Sequence, residues 1–96
     1  MASFNSLNVP PKAVEQGGDE FVRAAISNGE LFMSLRRGFD DPESWGRILS
    51  EMVKQVSHIY ATETKYNKAD AAKRILEAFA QEMAADAPGA PGIAKR

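Results

Sequence analysis

Ninety-six residues are enough for one domain, and 44% hydrophobic with 26% charged side chains is a globular composition, not that of a disordered or membrane-spanning chain. Twelve basic residues against thirteen acidic ones leave a net charge of −1, and only Lys95-Arg96 at the end is locally basic. No concentrated positive face is available to neutralise phosphates, so nucleic acid is not an expected partner. The absence of cysteine excludes disulfides, thiolate zinc sites and cysteine nucleophiles.

The start, MASFNSLNVPP, has neither a basic beginning nor a continuous apolar core, and no later run reaches membrane-spanning length. A cytoplasmic protein with no membrane partner is expected. Residues 1–18 read as an extended or flexible arm, because Pro10 and Pro11 oppose a helix and Gly17-Gly18 loosen the exit. A single globular domain is expected over 19–87. Asp19 can cap a short helix from about Glu20 to Ser27 with Phe21, Val22, Ala25 and Ile26 on one side, and Asn28-Gly29 supplies its stop.

Directly afterwards, in ELFMSLRRGF, Leu31, Met33 and Leu35 alternate with Phe32, Ser34 and Arg36, the period of two that marks a strand. DDPESWG is then a helix start: Asp41 can accept bonds from free amides, Pro42 suits the first helical position and Glu43 suits the dipole. Trp45, Ile48, Leu49, Met52, Val53, Val56, Ile59 and Tyr60 follow as one apolar stripe at helical spacing. Val56–Thr64 is rich in β-formers and has a competing strand reading, but the unbroken stripe favours helix. Asn67 with Asp70 opens a last helix like a capping box, Ala72, Ile75, Leu76, Phe79 and Met83 share its face, and Asp70–Arg74 is spaced for an ion pair. Residues 88–96 read as a flexible tail.

Little in the sequence carries chemistry. His58 has no ligating side chain three or four residues away, which makes a solvated surface histidine the expected reading. Asp41 is explained as a cap and Asp40 as a loop residue. Arg36 and Arg37 are expected to meet nearby carboxylates, not phosphate. Gly46 inside a helix costs about 1 kcal/mol relative to alanine, which leaves close approach of another backbone or plain tolerance as its readings. No phosphate loop, nucleophile elbow or zincin pattern occurs, so no catalytic, cofactor-binding or metal residue is assigned and an enzyme is not expected.

The stretch GELFMSLRRGFDDPESWGRILSEMVKQVSHIYA, with DPESWG its most distinctive part, resembles a family of small bacterial proteins classed as a domain of unknown function, DUF5076. The resemblance implies a stand-alone bacterial domain and brings no catalytic residue with it.

The expected fold is therefore α+β and mainly helical, in the order helix, strand, helix, helix, with a long C-terminal αα-hairpin and Leu31, Met33 and Leu35 against the stripe of the core helix. The strand needs a partner for its edges. Ser3–Val9 and Val56–Thr64 are weak candidates within the chain. The preferred reading is a homodimer in which Glu30–Arg36 pairs antiparallel with a second copy, with Leu31, Phe32, Met33, Ser34, Leu35, Arg36, Trp45 and Gly46 at the interface. The alternative is an adaptor that accepts a strand of a different protein at residues 30–36.

Overall fold

The computed structural model describes residues 2–85. Its elements are α1 (Pro11–Gln16), β1 (Val22–Ser27), β2 (Glu30–Leu35), α2 (Glu43–Glu63) and α3 (Lys68–Ala84). The α+β class and the long αα-hairpin stand as expected, and the segment 56–64 is helical through Glu63. The flexible tail expected over 88–96 lies outside the described residues.

The segment expected to be a helix over 20–27 is instead β1, and it is the partner that β2 required. The two strands form an antiparallel hairpin with Ser27 opposite Glu30 and Val22 opposite Leu35. Asn28 (φ 52°) and Gly29 (φ 78°) both have positive φ, the requirement of the tight type I′ turn whose twist matches that of paired strands. Asn-Gly can close a helix or a hairpin because both ends need the left-handed region. Here Val22, Ala24 and Ile26 alternate in step with Leu35, Met33 and Leu31, so pairing wins over a helix of only about two turns.

The prolines of the arm also act differently from the expectation. Pro10 precedes α1, and Pro11 takes its first position, where the missing N–H costs nothing. Ala13 N and Val14 N donate to Pro10 O at 3.0 and 3.2 Å. The helix is one and a half turns long and buries none of its residues.

The start of α2 follows its sequence signals. Ser44 N donates to Asp41 Oδ2 at 3.1 Å, and the Ser44 hydroxyl reaches Asp41 Oδ1 at 2.9 Å. Asn67 caps α3 by accepting from Asp70 N at 2.8 Å, and its amide returns a bond to Asp70 Oδ2 at 3.1 Å. Between the helices, Thr64 N and Oγ1 both donate to Tyr60 O, at 2.9 and 2.6 Å, and close the end of α2. The ion pair expected between Asp70 and Arg74 does not form; Arg74 lies over the Tyr66 ring, 5.2 Å from its centroid.

Among the described residues only Ser57 (0% exposed) and Ala71 (4%) are buried, one on each long helix. Both are small, which lets the two helix backbones approach, and the Ser57 hydroxyl is satisfied within α2 by Val53 O at 2.6 Å. The remaining apolar stripe is only partly covered. Ile48 and Val53 are half-buried, whereas Leu49, Met52, Val56, Ile59 and Tyr60 are exposed. The strand hairpin is not laid on that stripe, contrary to expectation: Met33 and Leu35 remain 57% and 60% exposed.

The sheet and the helices are joined through three aromatic rings. Phe21, just before β1, meets Phe39 at 5.5 Å and Trp45 at 5.6 Å, and Phe39 meets Trp45 at 6.3 Å, all edge to face. Trp45 Nε1 donates to Arg37 O at 2.7 Å and fixes the loop against the start of α2. Gly38, at φ 74°, makes the turn between Arg37 and Phe39 in a region that side chains rarely adopt.

Candidate interaction surface

Paired strands put opposite residues on the same face, so the register divides the hairpin into two unlike surfaces. One carries Val22, Ala24, Ile26, Leu31, Met33 and Leu35, and every member is apolar. The other carries Arg23, Ala25 and Ser27 opposite Ser34, Phe32 and Glu30. An all-apolar sheet face normally lies on a core. Here Ile26 joins Met33 and Leu35 in being more than half exposed.

The edge of β2 is open as well. Arg36 N donates to Phe21 O at 3.0 Å, continuing the ladder beyond Val22 and Leu35. Hydrogen-bonded pairs alternate with non-bonded ones in an antiparallel ladder. Phe32 and Ser34 are therefore bonded to β1, whereas Leu31, Met33 and Leu35 direct their N–H and C=O groups outward. That row is a template for a further strand.

A second apolar surface runs along α2. Ile48, Met52, Val56 and Ile59 line an open groove of about 380 Å³, bordered by Glu51 and Gln55. A smaller depression of about 230 Å³ lies between the long helices, among Tyr60, Tyr66, Ala71, Arg74, Ile75 and Ala78. On α3, Leu76, Phe79 and Met83 are exposed too.

Of the residues expected at an interface, Leu31, Phe32, Met33, Ser34, Leu35 and Arg36 are contiguous on β2 and its exit. Trp45 is half-buried in the chain's own aromatic cluster. Gly46 is exposed, and a Cβ added there would meet nothing outside its own helix within 4 Å, so among the described residues no backbone of another element approaches it. Sequence reasoning missed the apolar residues that β1 adds, Val22, Ala24 and Ile26. The signal was the two-residue Asn-Gly between two alternating runs.

Arg37 meets Asp40 at 3.9 Å and Arg47 meets Asp41 at 3.6 Å, both exposed pairs of small energetic weight. His58 is exposed on α2. Among the described residues no cluster of three or more His, Asp or Glu side chains is placed to hold a metal ion, and no helix is long and apolar enough to cross a membrane.

The solved structure of a "putative pyruvate dehydrogenase" from the photosynthetic bacterium Rhodopseudomonas palustrus CGA009 is similar to this chain, with 30% identity, a TM-score of 0.77 and 95% of each chain covered. Among curated proteins none matches the chain. The sequence profile of the domain of unknown function DUF5076 matches residues 6–87, from the arm before α1 to just past α3. The chain belongs to the DUF5076 family.

Proposed function

We propose that the protein is a homodimeric structural and protein-interaction module of the cytoplasm, without chemistry of its own, in which β2 pairs antiparallel with β2 of a second copy. The observation that carries this reading is the open edge of β2 beside an apolar face on which Ile26, Met33 and Leu35 are more than half exposed. A two-fold axis at Met33 sets Met33 against itself and Leu31 against Leu35, so every outward N–H and C=O on the edge gains a partner. The hairpin becomes the outer half of a four-stranded sheet. A lone two-stranded hairpin is marginal in water, and a wider sheet is not. Phe32, on the mixed face, then packs beside Ser34 of the other copy.

The exposure of the sheet supports association: Ile26, Met33 and Leu35 are 59%, 57% and 60% exposed, whereas an all-apolar sheet face normally lies on a core.

The name of the structural neighbour suggests an enzyme. Oxidative decarboxylation of a keto acid is carried by cofactors, which proteins hold in enclosing pockets. The two depressions described above, along α2 and between the long helices, are open and largely apolar, which suits a protein surface better.

Two proline variants test the strand pairing. Met33→Pro removes an outward N–H and should leave the hairpin formed while abolishing association; Ser34→Pro removes an inward N–H and should break the hairpin itself. Circular dichroism and sedimentation read the two effects separately. If Met33→Pro folds and still associates as the parent does, β2 is not the dimer edge. A folded monomer that binds a strand of another protein would instead support the adaptor reading.

A further inference from the structure

Pairing of the β2 edges satisfies the open hydrogen-bonding groups of β2 but leaves Ala24, Ile26, Met33 and Leu35 of the sheet's apolar face exposed, with Val22 and Leu31 half-buried. We infer that this face, Val22, Ala24, Ile26, Leu31, Met33 and Leu35, is covered by the α2 groove of a second copy, so that each chain supplies the sheet layer for its partner's helices. The inference rests on the homodimer proposed above and names the surfaces that meet in it.

The chain presents two unpartnered apolar surfaces of different kinds, and each lacks what the other provides. A helix buries its stripe on a sheet, and a sheet buries its apolar face under helices. The sizes agree. Six-residue strands span about 20 Å. The α2 groove from Ile48 to Ile59 spans about 16 Å at 1.5 Å per residue.

The chain's own helices do not make this contact. Residues 36–42 and the Phe21–Phe39–Trp45 cluster join α2 to the base of the hairpin, and Ile26 near the turn is left 59% exposed. A two-fold operation doubles any contact between unlike surfaces, because the sheet of each copy meets the helix of the other. The exposure also suits: Ile26, Met33 and Leu35 on the sheet are 59%, 57% and 60% exposed, and Met52, Val56 and Ile59 in the groove 39%, 40% and 48%. Because the two-fold repeats the contact, both surfaces of both copies are buried, which is how so small a chain reaches the roughly 1,200–2,000 Å² of a stable interface. A small partner peptide would leave half of these surfaces bare.

The lack of native cysteine makes cross-linking decisive. One chain carries Ala24→Cys or Ile26→Cys, a second carries Met52→Cys or Val56→Cys, and the two are refolded together and oxidised. None of the four changes adds charge, Ala24→Cys adding one sulfur and the other three removing apolar bulk, and circular dichroism of each variant confirms that it folds. The expected result is a disulfide-linked pair of chains in the mixture, lost when either cysteine is omitted. A dimeric mass with no sheet-to-helix cross-link at any of the four pairings overturns the inference and leaves the dimer standing. A chain bearing both cysteines that closes on itself without gaining mass also overturns it, since its own helix would then cover the sheet. A monomeric mass at micromolar concentration overturns both proposals.

Discussion

Trp45→Ala should loosen the junction between sheet and helices more than any other single truncation, because Trp45 alone combines ring packing with a bond to the loop. Full truncation of a core tryptophan costs about 3–5 kcal/mol, and Trp45 is half-buried, so about 2 kcal/mol comes from lost packing. Its edge-to-face contacts with Phe21 and Phe39 add about 0.5–1.5 kcal/mol. The bond from Nε1 to Arg37 O adds about 0.5 kcal/mol, since a solvent-accessible carbonyl can recover water. The total of about 3–4 kcal/mol lowers Tm by roughly 15–30 °C in a domain of this size. Trp45→Phe retains the ring and loses the bond, and should cost only about 1 kcal/mol. Thermal unfolding followed by far-ultraviolet circular dichroism, at fixed chain concentration, measures both. An alanine variant melting within about 5 °C of the parent would show that the three rings do not hold the two halves together. A phenylalanine variant as unstable as the alanine one would place the effect in the hydrogen bond.

Gly29→Ala forces a side chain to φ 78° in the hairpin turn and should cost about 1–2 kcal/mol, read as a lower Tm; no change would mean that the turn relaxes without strain. Gly46→Ala has the opposite sign, because among the described residues nothing beyond its chain neighbours and its own helix backbone lies within 4 Å of the added methyl and alanine is the better helix former by about 1 kcal/mol. A rise in Tm of about 4–8 °C is expected, and a fall would show that a second copy packs its backbone there.

The helical half was legible in the sequence because its signals are local. Asp41 and Asn67 make the capping bonds their positions imply, and the stripe from Trp45 to Tyr60 marks α2 through the stretch that also reads as strand. The first half was harder because its signals have two meanings. Pro11 stops a helix when inside one and starts one when first, as it does in α1. Asn28-Gly29 ends a helix or turns a hairpin, and Phe21, Val22, Ala25 and Ile26 fit a helical face as well as Val22, Ala24 and Ile26 fit a strand. Only pairing with β2 separates the two, and pairing is not local. The same limit applies to the surface. The sequence shows that Leu31, Met33 and Leu35 share a face, but what covers that face depends on chain paths that periodicity does not encode.

Sedimentation equilibrium of the full chain across a dilution series is the most direct measurement of the central claim, that the exposed edge and apolar faces are interfaces between copies. The predicted result is a single species of twice the 10.5 kDa chain mass, persisting down to micromolar concentration. A stable monomer of 10.5 kDa throughout the series would contradict it.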